Sequence, residues 1–284
     1  AAGFIIKLSL DSGWLTPERQ VGLAAMLGFA LIVAGLALQG ADREYAGFLP
    51  AAGIIVLYAC AFSAHRIYSL IPFESAVSLV CLVSGLCIWL YTRIREDLYP
   101  VTAAVGSYLG PVILGLNSAS VFSVYYYLLC SIAFSVISIW VRSRILTLVA
   151  AYLAIMMTAF TGLALHADKL IVAMLALNFL VISGGTYLYT CQHAAPLTES
   201  ESAGFLPVLL FFYAMEYYFV ERIAPGLAPW LSLGFAGLLL ALYLGAKKRF
   251  PEGKMGSESM ILAFISVVCF HSFYMELLPA GARP

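Results

Sequence analysis

Apolar residues run along this chain in long continuous blocks that short polar stretches separate, and each block covers 16 to 21 residues. The blocks lack the period of two that barrel strands show. A helix of this length crosses a hydrocarbon core of about 30 Å. We therefore predict an all-α fold, a polytopic transmembrane helical bundle. Its ten membrane-spanning helices are expected at 21–38, 48–64, 75–91, 98–115, 121–141, 145–165, 170–190, 205–220, 230–245 and 260–278.

Composition agrees with a membrane protein. The chain is 63% hydrophobic and 11% charged, whereas soluble domains carry about 25% charged residues. The formal net charge is zero, which argues against a nucleic-acid partner. The partners we expect are membrane lipids and other inner-membrane subunits. We expect no cofactor and no metal, because the six cysteines form no C-x-x-C pair and are typical of small core residues.

The basic residues set an orientation in the membrane. Nine of the fifteen Lys and Arg residues lie in the odd-numbered connections between spans, and six lie on the other side. The more basic side is expected to be cytoplasmic. We therefore predict a multi-pass protein of the bacterial cytoplasmic (inner) membrane, with the N-terminus of this chain on the periplasmic side.

The pentapeptide AGFLP occurs at 46–50 and again at 203–207, each time after an acidic loop and at the start of an apolar run. An Arg-Ile pair, a proline and a basic cap follow both copies in the same order, and Pro50 and Pro207 are 157 residues apart. This order predicts a parallel six-helix internal repeat. The alternative is a pair of generic hairpins with proline-rich turns.

The repeat suggests a division of the chain. Residues 1–20 are expected to be the tail of a preceding helix and an amphipathic lead-in. Residues 21–165 would form the first six-helix repeat. Residues 170–284 would form a second, incomplete repeat of four helices.

Three stretches resemble a known family: KLSLDSGWLTPERQVGL, GFLPAAGIIVLYACAFSAHRIYSLIP and AAVGSYLGPVIL. They are similar to the repeated core of a bacterial membrane-protein family catalogued as domain of unknown function 2339. The resemblance covers roughly residues 7–151, and a weaker similarity continues to the end of the chain. It implies a long, many-helix protein of which this chain is a piece. It implies no catalytic residues and no particular substrate.

Ionisable groups inside a bilayer are costly, so each needs an explanation. Glu216 and His271 lie deep in their spans, and we expect them to face each other and share an outward pocket with Arg66 or Arg222. The competing explanation is a structural pair that holds helices together. Further candidates for the pocket are His65, Glu276 and Tyr108. For Arg222 and Glu276, which are close to span ends, snorkelling to water is the simpler explanation.

The fourth span contains GSYLGP, in which Gly106, Gly110 and Pro111 weaken a helix. We expect the helix to kink or unwind between Ser107 and Gly110, to face the bundle interior there, and to continue back through LNSAS. The alternative is that Pro111 simply ends a short helix.

Two functions fit these observations. The first is a transporter or flippase of an envelope lipid or glycan precursor, because repeats, broken helices and polar groups near the midplane are typical of transporters. The second is a non-catalytic accessory or scaffold subunit of a larger inner-membrane complex. We do not expect an enzyme, since metalloprotease, nucleophile-elbow and P-loop motifs are absent from the sequence. An intramembrane acyltransferase using His271 stays open.

Overall fold

A computed structural model of the chain describes residues 16–38, 43–115, 120–250 and 255–277, with only the backbone described for 43–46. The described part is helical and contains ten helices, as the sequence predicts. Nine are long and apolar enough to cross a membrane, and α4 is shorter. The helices are α1 Pro17–Ala37, α2 Arg43–Phe62, α3 Phe73–Ile94, α4 Leu98–Leu114, α5 Val121–Val141, α6 Arg144–Leu165, α7 Asp168–His193, α8 Glu199–Ile223, α9 Ala228–Arg249 and α10 Ser257–Val268. Two of them continue as π-helix, α2 over Ser63–Ile67 and α10 over Cys269–Leu277.

The chain divides into two compact units, Ala1–Ser118 with α1 to α4 and Ala119–Pro284 with α5 to α10. We call them unit 1 and unit 2 and describe each by itself. The six-helix repeat over 21–165 and 170–284 stays a prediction.

In unit 1, α1 and α2 approach each other closely at glycines. A Cβ atom on Gly53 would lie 2.5 Å from the carbonyl oxygen of Gly28, and one on Gly35 would lie 2.3 Å from Cδ of Pro50. Small residues let transmembrane helices pack backbone to backbone, where lipid supplies no hydrophobic driving force. The proline of the first AGFLP copy is therefore a packing surface for α1.

The predicted unwinding of α4 is wrong, because the helix is continuous from Leu98 to Leu114 with Pro111 inside it. Residues of α2 and α3 pack against this stretch. Gly106 lies against the ring of Tyr58, Gly110 lies against Val80, and the Ser107 hydroxyl donates to Ser84 Oγ over 2.8 Å. The expectation that this stretch faces protein is confirmed. Its buried residues are Ser107, Tyr108, Gly110 and Pro111. The first four residues of LNSAS lie outside the described part of the chain.

In unit 2, a buried amide ties three helices together. Asn178 on α7 is fully buried and accepts a hydrogen bond of 2.5 Å from Ser131 Oγ on α5. Its Nδ2 donates to Thr158 Oγ1 on α6 over 3.3 Å and to the carbonyl of Met174 over 2.8 Å. Each polar group of this set has a partner, which is the condition for placing them inside a membrane span.

The two AGFLP copies share a contact. In unit 1, the Tyr99 hydroxyl donates to the carbonyl of Gly47 over 2.6 Å. In unit 2, the Tyr152 hydroxyl donates to the carbonyl of Gly204 over 2.9 Å. Each glycine lies three residues before a proline inside the helix. A tyrosine from another helix thus donates to the same backbone position in both copies.

The start of α8 explains the acidic residue before the second copy. Thr198 is the N-cap, and its Oγ1 accepts from the N–H of Glu201 over 3.3 Å. The Glu201 carboxylate accepts in turn from the N–H of Thr198 over 2.8 Å, which completes a capping box. The acid thus fixes where the helix begins.

Candidate functional site

Unit 2 contains a small apolar cavity of about 100 Å³. Helices α6 to α10 and the connections before α8 and α10 enclose the cavity. Its lining residues are Ala151, Ile155, Phe179, Ile182, Ser183, Thr186, Tyr187, Thr190, Leu197, Phe205, Val208, Leu209, Phe212, Leu239, Leu242, Tyr243, Ala246, Met255, Ser257, Met260 and Ile261.

Partly exposed lining residues show which wall of the cavity is open. They are Ile182, Ser183, Thr186 and Tyr187 on α7, Leu209 on α8, Leu242 on α9 and Met255 before α10. The lining residues on α6 and α10 are buried. The partly exposed lining therefore lies on α7, α8 and α9, within the apolar length of three candidate spans.

Polar and basic side chains surround one end of the cavity, which we call the basic end. The Tyr243 hydroxyl, at the last turns of α9, donates to Glu258 Oε2 over 2.7 Å. Lys247 Nζ lies 3.6 Å from the same oxygen, and Lys248 and Arg249 follow it in exposed positions. These cations stand directly beyond the last cavity-lining turn, which ends at Ala246.

Arg144, at the start of α6, adds a fourth cation at this end. Its Nη2 donates to Thr190 Oγ1 over 2.9 Å and to the carbonyl of Ala195 over 2.5 Å. The guanidinium lies 3.9 Å from the centre of the Tyr189 ring. Nη1 is buried and makes no hydrogen bond within the described residues. Because Thr190 lines the cavity, Arg144 sits behind its wall.

Two phenylalanine rings line the cavity at the end away from the basic residues, and a third packs against both of them. The rings of Phe179 on α7 and Phe212 on α8 stack with their centroids 4.4 Å apart. The ring of Phe235 on α9 packs edge-on, 5.1 Å from each of them. We call these three residues the phenylalanine floor. Offset and edge-on aromatic pairs contribute about 0.5–1.5 kcal/mol each beyond their buried area.

Glu216 lies one turn beyond the phenylalanine floor on α8. Its side chain is 2% exposed, and within the described residues neither carboxylate oxygen makes a hydrogen bond. Phe212 and Phe219 lie four residues before it and three after it, so all three share one buried stripe of the helix. The stripe faces the core of unit 2.

His271 lies on the π-helical end of α10 and contacts a different face of α8. Its Nδ1 is hydrogen-bonded to the Tyr213 hydroxyl over 2.7 Å, and its ring packs edge-on against Tyr217 with centroids 4.9 Å apart. The Tyr213 hydroxyl also lies 3.1 Å from Ser272 Oγ. Within the described residues, neither a hydrogen bond nor an ion pair joins Glu216 to His271.

Arg222 has a partner that the sequence did not indicate. Its Nε lies 3.3 Å from Asp168 Oδ2, at the point where α8 ends beside the start of α7. Its Nη1 donates to the Tyr218 hydroxyl over 3.2 Å. The Arg222 side chain is 42% exposed, so it reaches the surface of unit 2, as snorkelling predicts.

The remaining candidates are distributed over both units. In unit 2, Glu276 is exposed on the π-helical end of α10. In unit 1, His65 and Arg66 lie on the π-helical end of α2, where Arg66 is exposed and His65 Nδ1 lies 2.9 Å from the carbonyl of Ile71. Tyr108 is fully buried in α4. The shared pocket of these residues stays a prediction.

Unit 1 has a second apolar cleft, of about 410 Å³. Gly106 and Gly110 line it together with Tyr58, whose hydroxyl lies 2.8 Å from Ser84 Oγ. The glycines singled out in the sequence therefore open a space beside α4 where larger side chains would fill it. They do so without interrupting the helix.

Sequence reasoning missed the cavity of unit 2 entirely. Its lining consists of ordinary apolar residues in helices that are apolar all round, so no face is distinguished. Asp168 and Tyr213 were also missed as partners of Arg222 and His271. Their signal is positional: Asp168 begins the helix that precedes α8, and Tyr213 lies one turn before Tyr217.

No curated protein and no solved structure matches the chain. One family model does match, described as "Predicted membrane protein (DUF2339)", and the match runs over residues 1–275. Since those residues make up most of the chain, and since the fold is a bundle of apolar spans, the chain belongs to this family of multi-pass membrane proteins.

Proposed function

We propose that this protein binds an amphipathic lipid and moves it across the bacterial inner membrane, the lipid being an envelope lipid or a glycan precursor. One observation carries the proposal: unit 2 contains an apolar cavity that is accessible within the length of its spans and ends beside a group of cations. The role is transport rather than catalysis.

The chemistry of the cavity indicates the class of ligand that would bind there. Its walls are almost wholly apolar, which suits a hydrocarbon chain. Lys247, Lys248 and Arg249 at the basic end suit an anionic headgroup such as a phosphate. An anionic amphiphile satisfies both requirements, with its chain between α7 and α9 and its headgroup at the basic end.

A photoactivatable phospholipid tests the binding step. The probe carries a diazirine in the middle of one acyl chain, and it is incorporated into vesicles that contain the purified protein. Cross-links are mapped by mass spectrometry. We expect them at buried lining residues such as Phe205 and Met260, which are 6% and 8% exposed and which lipid outside the cavity does not reach.

A matched pair of variants separates cavity binding from contact with bulk lipid. Leu242→Trp adds volume at a cavity-lining position on α9, whereas Leu244→Trp adds the same volume at a residue that is 53% exposed and outside the lining. Leu242→Trp should reduce the internal cross-links and the movement of a fluorescent anionic lipid between leaflets. Leu244→Trp should leave both unchanged. Cross-links confined to exposed residues would contradict the proposal.

A further inference from the structure

Glu216 is a buried ionisable residue of unit 2 that has no part in the proposed lipid binding. The residue is 2% exposed, and its two carboxylate oxygens have no hydrogen-bond partner within the described residues. An ionised carboxylate in such a place is strongly unfavourable, because neither water nor a donor replaces its hydration. The group therefore requires a bound cation.

The surroundings of Glu216 favour a proton over a metal ion. A metal cation requires several oxygen ligands, and the residues before and after Glu216 on its stripe are Phe212 and Phe219. Within the described residues no set of three or more His, Cys, Asp or Glu side chains comes together. A proton needs no further ligand.

The titratable groups on the helices that pack against α8 pair with residues other than Glu216 or are exposed. Asp168 on α7 pairs with Arg222, and His271 on α10 pairs with Tyr213. Glu276 on α10, Lys169 on α7 and His166 after α6 are exposed. The first half of α9 carries no charged residue. On α8 itself, Tyr213 and Tyr217 face His271, and Glu221 is exposed.

The route to Glu216 runs from the cavity. Long side chains on a helix lean towards its N-terminus, so the Glu216 carboxyl is directed back towards the turn that carries Phe212. Phe212 also lines the end of the cavity and stacks on Phe179, so the turn before Glu216 carries part of the phenylalanine floor. On the other side, Phe219 packs against the backbone at Gly162, which gives no space for a second path through that contact.

We propose that Glu216 is a proton-binding site and that the phenylalanine floor gates the exchange of its proton with the cavity. In the closed arrangement seen here, the carboxyl holds its proton. When the rings of Phe179, Phe212 and Phe235 separate, the proton is exchanged with water in the cavity. The coupling of this exchange to lipid movement rests on the function proposed above.

A hydrophobic carbodiimide, dicyclohexylcarbodiimide, tests the proton site without any lipid substrate. It reacts with a protonated carboxyl in an apolar place: the acid adds across one C=N bond, its proton moves to the nitrogen, and nothing leaves. We expect an adduct at Glu216 in the purified full-length chain, detected by peptide mass spectrometry. The adduct should form at acidic pH, decline at alkaline pH and be absent in Glu216→Gln.

The gate is tested by two alanine variants on the same turn of α8. Phe212→Ala removes two ring contacts of the floor, so labelling of Glu216 should accelerate by about tenfold, the factor expected for the loss of two aromatic pairs. Phe211→Ala removes a contact with Phe160 on another face and should leave the rate unchanged. Equal rates in the two variants would overturn the gate.

The outcomes distinguish this inference from the proposed function. Absence of a Glu216 adduct in Phe212→Ala, or labelling that does not change with pH, overturns the proton site even where lipid movement is intact. Conversely, a labelled Glu216 with no lipid in the cavity leaves the proton site standing and removes the lipid function. If both hold, lipid movement should respond to a pH gradient in the unmodified protein and not in Glu216→Gln.

Discussion

The ring of Phe212 on α8 stacks on that of Phe179 on α7, with centroids 4.4 Å apart and planes inclined by 14°. Both rings line the apolar cavity of unit 2, and Phe212 lies one turn before Glu216, whose carboxylate makes no hydrogen bond within the described residues. In the proposed gate, a pair of rings suits the boundary between cavity and carboxyl because it excludes water when stacked and loses only a modest free energy when it separates.

The tyrosines that contact the two AGFLP copies give a matched test of backbone stabilisation. Tyr99→Phe and Tyr152→Phe each remove one hydroxyl that donates to a glycine carbonyl and change little else. Each should lower the free energy of unfolding by about 0.5–1.5 kcal/mol. Tyr125→Phe, at a residue that is 53% exposed, is the control and should have no effect. Thermal or denaturant unfolding in detergent measures the three variants, and a larger effect at Tyr125 would contradict the interpretation.

Close approach of α1 and α2 predicts a steep penalty at one glycine. Gly53→Ala places a methyl group 2.5 Å from the carbonyl oxygen of Gly28, and backbone cannot rotate away as a side chain can. We expect a loss of about 1–3 kcal/mol of stability, the usual cost of overpacking.

Gly22 on α1 is the matched control for this variant. No atom lies within 4 Å of a Cβ atom there, so Gly22→Ala should be neutral or slightly stabilising because alanine favours a helix. A destabilisation of equal size in Gly22→Ala would show that the close approach of α1 and α2 does not set the effect.

Sequence reasoning predicted the spans because their signal is additive over many residues. Each apolar block is close to the length needed to cross a bilayer, so all ten helices were found. The break at Pro111 was mispredicted because local propensity ignores tertiary contacts. Val80, Tyr58 and Ser84 contact α4 within GSYLGP, and the sequence does not place them beside it.

The candidate site, too, was only partly predictable from the sequence. Glu216 was identified because a charge in an apolar run is conspicuous at any depth, and its burial agrees with that signal. Its environment was not identified, because Phe179, Phe212 and Phe235 come from three helices and look like any other core residue. The partner of Arg222 depends on which helix ends meet, which a single sequence does not fix.

The ion pair of Arg222 and Asp168 should contribute little. With the two side chains 42% and 19% exposed, solvent and salt screen the attraction between Nε and Oδ2. A double-mutant cycle with Asp168→Asn and Arg222→Gln should give a coupling free energy of at most about 1 kcal/mol. It should decline further at high salt. A coupling well above that value that persists at high salt would show that the pair is shielded from solvent.

Orientation determines from which side a lipid enters the cavity. The cavity ends beside Lys247, Lys248 and Arg249, on the side to which nine of the fifteen Lys and Arg residues belong. If the positive-inside bias holds, this end faces the cytoplasm and the headgroup binds there. The end with Asp168 and Arg222 then faces the periplasm.

Cysteine accessibility measures this orientation directly. In a background in which the native cysteines are replaced by serine or alanine, Lys248→Cys and Lys169→Cys place one thiol at each end, and both positions are exposed. A maleimide that does not cross membranes should label Lys169→Cys in intact cells and should label Lys248→Cys only after the cells are opened. The two variants serve as controls for each other, because both should react fully in detergent. The reverse pattern would place the basic end of the cavity outside, so the lipid headgroup would enter from the periplasm, and the direction of movement would have to be reversed.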